Sequence, residues 1–128
     1  MEIPTILRYT FLLHFIVCII YGFLFFVSPE FYVDFTGWPF LDPVAGRVLG
    51  STFIGYGLAA LFGFRATTWE EVKIIVLADI TWGIFGTISM VWMMIVHTTI
   101  PAIAGWMNAA IIGIFLLLFL YSYYAATR

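Results

Sequence analysis

Four long apolar stretches constrain this 128-residue chain more than any other feature. They cover about residues 5–27, 44–64, 72–96 and 101–123. A membrane-spanning helix needs about 20 mostly apolar residues, and each stretch meets that length. Only 9% of the residues are charged, against about 25% in soluble domains. The sequence therefore predicts an all-α fold, a single domain over residues 1–128 that forms a bundle of four transmembrane helices.

The first stretch is expected to be a retained helix rather than a cleaved signal peptide. Its apolar core is longer than that of a usual signal peptide, and no small-residue cleavage motif follows it. All four stretches are apolar nearly all round, unlike the amphipathic helices of soluble proteins.

The basic residues predict the orientation of the bundle. With four spans, four of the five lie on the side of both termini, namely Arg8, Arg65, Lys73 and Arg128. The positive-inside bias then places both termini in the cytoplasm of a multi-pass integral membrane protein, in the cell membrane if the organism is prokaryotic. A net charge of -2 gives no basic field for a nucleic-acid partner.

The connection over residues 28–43 is expected to be an aromatic outer loop. Its five aromatic residues alternate with acidic residues, glycine and proline. Aromatic rings at this density are typical of the membrane interface. The loop is predicted to anchor the bundle there, and a gate over a substrate site is the alternative.

Small residues recur at helical spacing in the second and fourth stretches. They include Gly46, Gly50 and Gly57, and then Gly105, Ala109 and Gly113. Such spacing allows close helix packing in membranes. It predicts a compact bundle, or a homo-oligomer if one stripe faces outward.

Two ionisable residues are predicted to lie within the membrane at similar depth. Asp79 follows Lys73 by six residues, and His14 follows Arg8 by six, so each lies about 9 Å further along its helix. An intramembrane carboxylate is costly and suggests a functional site. The pair is interpreted as a ligand or proton-binding site, with simple hydrogen bonding between helices as the structural alternative.

Two further residues extend this candidate site. Trp82 shares a helical face with Asp79, and Tyr121 could approach from the fourth stretch. The run from Phe115 to Leu120 is instead expected to face lipid and to carry no chemistry.

A second polar cluster is predicted near the outer face. Arg47 could bridge to Asn108, or extend toward Asp42 and Glu30. Structural pairing is the favoured interpretation, with anion binding as the alternative.

Motifs for metal, phosphate or dinucleotide chemistry are missing from the sequence. No catalytic residues, metal site or cofactor are therefore predicted, although a bound lipid or quinone is compatible with the Asp79 and His14 pair. An enzymatic role is not favoured.

The order of several motifs resembles a known family. Ser28-Pro29-Glu30-Phe31 ends the first stretch, Gly46-Arg47-x-x-Gly50 opens the second, and Trp69 precedes the third. This layout is similar to that of the small four-helix membrane proteins of the DoxX-like group. The resemblance implies an integral membrane subunit or an accessory protein. Some members of the group are linked to quinone-dependent oxidoreductases.

Three functions follow from these patterns. The leading hypothesis is a non-enzymatic accessory or assembly subunit of a membrane complex, whose partners are the lipid bilayer and other membrane subunits. The alternative is a small transporter, channel or lipid/quinone-binding protein that uses the Asp79 and His14 pocket. A lipid or sterol enzyme similar to the emopamil-binding isomerases ranks third. Those enzymes use several intramembrane carboxylates, whereas this sequence offers only Asp79.

Overall fold

A computed structural model describes residues 1–40 and 42–128 as an all-α fold. Helix α1 covers Thr5–Val27, α2 covers Pro29–Thr36, α3 covers Pro43–Arg65, α4 covers Trp69–Val96 and α5 covers Ala102–Thr127. The four longer helices are long and apolar enough to cross a membrane. This confirms the predicted four-helix bundle.

The prediction of a loop over residues 28–43 missed the short helix α2. Pro29 provides a preorganised first helical residue, and the Ser28 hydroxyl accepts a hydrogen bond from the Phe31 amide at 3.3 Å. Gly37, at a φ of 75°, ends the helix in the left-handed conformation that glycine adopts readily. The helix therefore has local start and stop signals.

Local capping also fixes the start of α3. The Asp42 carboxylate accepts hydrogen bonds from the Val44 and Ala45 amides at 2.9 and 3.1 Å. An N-cap acceptor of this kind satisfies amides that have no partner within the helix. Helix α3 is thereby anchored directly after the outer connection.

Both termini and the α3–α4 connection lie at one end of the bundle, the terminus end. The Trp69 amide donates to the Met1 carbonyl at 2.9 Å, and the Trp69 ring packs against Tyr123 near the end of α5. Arg8 donates to the carbonyls of Phe64 and Ala66, at the end of α3. The opposite end, which carries α2, is called the α2 end below.

Helices α1 and α3 approach closely along their small residues. A Cβ atom on Gly50 would lie 2.5 Å from the Phe26 amide nitrogen and 2.7 Å from the Gly22 carbonyl oxygen. Backbone contact of this kind requires glycine on the facing surface. Most of the predicted small-residue stripe on α3 is therefore used inside the bundle.

A tightly packed core fills the terminus end. Its largest fully buried side chains include Leu7, Phe11, Val72, Val76 and Phe119. The helices are in direct contact at this end, whereas a cavity separates them toward the α2 end. The candidate site lies directly above this core.

Candidate functional site within the bundle

A cavity of about 680 Å³ opens within the α2-end half of the bundle. It extends from His14 and Asp79 to Trp38, Phe40 and Asp42 at the α2 end. Ligand-binding cavities typically measure about 300–1,000 Å³ and combine apolar walls with a few polar groups. This cavity has that size and composition.

His14 and Asp79 face each other at the deep end of the cavity. Their side chains come from α1 and α4, with His14 Nδ1 at 3.8 Å from Asp79 Oδ2. Both residues are buried, and among the described residues neither atom has a hydrogen-bond partner. The predicted proximity of the two residues is confirmed, whereas the direct hydrogen bond of the structural alternative is not formed at this distance.

The pair lies near the middle of the membrane. His14 follows the start of α1 by nine residues, and Asp79 follows the start of α4 by ten. At 1.5 Å per residue, both are about 14–15 Å from the terminus end, which is about half of a 30 Å hydrocarbon layer. The hydrocarbon layer supplies no water at that depth, so a polar group there depends on the protein or on the contents of the cavity for its partner.

Aromatic rings from α5 hold the imidazole. The His14 ring centroid lies 4.8 Å from that of Phe115 and 5.2 Å from that of Phe119. The expectation that residues 115–120 all face lipid was therefore wrong for part of the run. Phe115, Leu116 and Phe119 line the cavity, while Leu117 is 66% exposed. The i and i+4 spacing of the two phenylalanines was the signal that sequence reasoning missed.

Trp82 and Tyr121 have different positions relative to the site. Trp82 lines the cavity, as predicted, and its ring meets Phe53 at 5.8 Å and Tyr56 at 6.4 Å. Tyr121 is 57% exposed and does not reach the cavity. It lies on an exposed side of α5, whereas the next residue, Ser122, is buried. The placement of Tyr121 at the site is therefore corrected.

The outer polar cluster divides into two separate groups. Arg47 lies 3.4 Å from the Glu30 carboxylate, one of the alternative partners considered from the sequence. Asn108 does not bridge to Arg47. Its amide nitrogen donates to the Tyr32 hydroxyl at 2.7 Å, and its carbonyl oxygen accepts from the Tyr21 hydroxyl at 3.2 Å.

This Tyr21–Asn108–Tyr32 network joins α1, α5 and α2 on the cavity wall. Burial raises the pKa of the Tyr32 hydroxyl, and this effect is larger than the lowering caused by the Asn108 hydrogen bond. Tyr32 therefore keeps its proton at neutral pH. Tyr32 was missed as a site residue because its role depends on the short helix that was predicted as a loop.

Metal binding has no support in the described part of the chain. No group of three His, Cys, Asp or Glu side chains in residues 1–40 and 42–128 is placed to hold a metal ion. The polar groups of the cavity are suited instead to hydrogen bonding and charge pairing.

Comparisons with known proteins identify no relative. No protein-family model, curated protein or solved structure matches the chain. The similarity to the DoxX-like group stays a prediction from motif order. The four apolar helices indicate a membrane protein.

Proposed function

We propose that the protein binds a small lipophilic molecule with one polar group inside the membrane. The observation that carries this proposal is the unpartnered pair of His14 Nδ1 and Asp79 Oδ2 at the deep end of a large apolar cavity. Buried polar atoms normally have partners. A ligand polar group that reaches this pair from the cavity would supply the partner that the protein lacks.

Binding is favoured over transport by the shape of the interior. The cavity reaches His14 and Phe119, while Leu7, Phe11 and Val76 close the bundle below them. This packing leaves a site with one open end in a single protomer. A channel would need a continuous polar path.

Protection of Cys18 tests the proposal. Cys18 is the single cysteine of the chain, is 5% exposed and lines the cavity. With the protein in lipid nanodiscs, 1-adamantanol is expected to slow the reaction of Cys18 with N-ethylmaleimide in a saturable way. Native mass spectrometry should show one bound adamantanol per protein.

A matched control uses the lipid-facing side of the same helix. In the double variant Cys18→Ala/Ile16→Cys, the reactive thiol lies at a position that is 47% exposed. Adamantanol should leave its labelling rate unchanged. Equal rates with and without adamantanol at Cys18, together with no bound adamantanol by mass spectrometry, would refute the proposal.

An accessory role in a membrane complex is proposed as a second candidate. A shallow groove between α3 and α4 supports it, because this groove contains Gly55 and Ala59 at small-residue spacing. A side chain on Gly55 would meet no atom within 4 Å, so a helix of another subunit could approach there.

Extraction in mild detergent tests this second role. A membrane subunit should co-purify with the wild-type protein, and Ala59→Trp, which fills the groove, should release it. Leu58→Trp, at an exposed position beside the groove, is the control and should retain the subunit. A monodisperse protein without any partner would argue against the accessory role.

A further inference from the structure

The cavity is lined by two aspartates and, among the basic residues that the structure describes, by His14 alone. Asp79 lies at its deep end and Asp42 at the α2 end, and the lining residues that the structure describes include neither lysine nor arginine. Arg47, the basic residue nearest in sequence to Asp42, is directed to Glu30. The cavity therefore favours a positively charged occupant over an anionic one.

His14 does not supply the missing partner of Asp79. At 3.8 Å, its Nδ1 is beyond hydrogen-bond distance from Oδ2, and its ring is fixed between Phe115 and Phe119. A buried carboxylate is stabilised only by a close donor or opposite charge. Asp79 lines the cavity, so an occupant whose polar group reaches its carboxylate could provide both.

Aromatic residues line the same part of the cavity. Trp82 is one helical turn from Asp79, and its indole forms a cluster with Phe53 and Tyr56. A cation is attracted to the face of an aromatic ring, most strongly to that of tryptophan, and the attraction increases when water is excluded. The aromatic cluster and the carboxylate thus favour the same chemical class.

We propose that the occupant is a lipophilic amine, with its protonated nitrogen beside Asp79 and its apolar body extending toward the α2 end. This inference rests on the proposed binding function and specifies its ligand class. The ammonium donates a hydrogen bond to the Asp79 carboxylate and neutralises its charge. The apolar walls then enclose the rest of the molecule.

Three probes that share one apolar cage test the ligand class. They are 1-adamantanamine, 1-adamantanol and 1-adamantanecarboxylate, titrated calorimetrically into protein in phosphatidylcholine nanodiscs, with empty nanodiscs as the blank. The amine should bind at least tenfold more tightly than the alcohol. The carboxylate should show no saturable binding.

Two variants assign the preference to the named residues. Asp79→Asn should reduce amine affinity to that of the alcohol, and Asp42→Asn, which keeps a side chain suited to capping α3, should change the ratio less than threefold. If Asp79→Asn does not fold, Trp82→Leu serves instead and should weaken amine binding several-fold more than alcohol binding.

The outcomes separate the two proposals. Equal affinity of the wild-type protein for amine and alcohol would overturn the lipophilic-amine inference and leave the cavity as a binding site. An unchanged amine preference in a folded Asp79→Asn variant, or in Trp82→Leu where that variant replaces it, would also overturn it. Failure of all three probes to bind the wild-type protein would contradict the proposed function as well.

Discussion

His14 Nδ1 and Asp79 Oδ2 lie 3.8 Å apart on facing helices, both without a hydrogen-bond partner among the described residues. Asn108, closer to the α2 end, has both polar atoms of its amide bonded to tyrosines. The cavity wall therefore carries an unsatisfied buried pair and a half-buried amide that is satisfied. The two should respond differently to substitution.

Replacement of Asp79 by leucine is expected to leave the ligand-free protein at least as stable as the wild type. The substitution removes a buried carboxylate with an unpartnered oxygen, whereas Asn108→Leu leaves Tyr21 and Tyr32 without their partner and should cost about 1–3 kcal/mol. Thermal unfolding in detergent, followed by tryptophan fluorescence, measures both. A lower midpoint for Asp79→Leu than for Asn108→Leu would contradict the assignment of Asp79 to ligand binding.

The contact between α1 and α3 should tolerate no side chain at Gly50. Gly50→Ala places a Cβ atom against backbone atoms of α1, and such overpacking costs about 1–3 kcal/mol or more. Gly55→Ala, five residues further along α3, meets no atom within 4 Å and should be neutral or stabilising by up to about 1 kcal/mol. Denaturant unfolding of the two variants checks the contrast, and equal stabilities would rule out the close approach.

Arg8 is expected to stabilise the end of α3. Its guanidinium donates to the Phe64 carbonyl at 2.7 Å and to the Ala66 carbonyl at 3.2 Å. Hydrogen bonds from charged groups contribute about 1.5–3 kcal/mol, so Arg8→Ala should lower the free energy of unfolding by about that amount. Arg65→Ala, at an exposed position, should change it by less than about 0.5 kcal/mol. Similar losses in the two variants would show that charge alone, rather than capping, is responsible.

Phe119 should be the most sensitive position on α5. It is 1% exposed and packs against Phe11 and His14, so Phe119→Ala is expected to cost about 3–5 kcal/mol. Leu117→Ala removes a side chain that is 66% exposed and should have a small effect. Unfolding midpoints of the two variants measure the difference, and a larger loss for Leu117→Ala would reverse the predicted orientation of α5.

Much of the fold could be predicted because the membrane imposes a length on every apolar segment. The start and end of α1 agree with the sequence prediction, and α3, α4 and α5 differ from it by a few residues at some ends. Helix α2 was missed, since its eight residues carry no long apolar pattern. Its signals were the local ones at Ser28, Pro29 and Gly37.

The sequence predicted chiefly those site residues whose ionisable side chains are energetically costly to bury in a membrane. Asp79 and His14 could be paired from their depth, because helical rise converts residue number into distance along the membrane normal. When a helix is apolar all round, its sequence predicts the depth of a residue better than it predicts which face of the helix turns toward the bundle interior. For that reason Tyr121 was placed at the site and Phe119 was placed in lipid, whereas the structure has the reverse.

The sequence by itself determined the number of spans, the shared end of the two termini and the depth of the buried ionisable pair, since these depend on hydrophobic length and helical rise. Only the tertiary structure decided which faces meet. Packing at Gly50 brings α1 against α3, and Phe115 and Phe119 fix the His14 ring. The cavity beside Asp79 results from contacts between distant helices, and no local pattern in an almost uniformly apolar chain encodes such contacts.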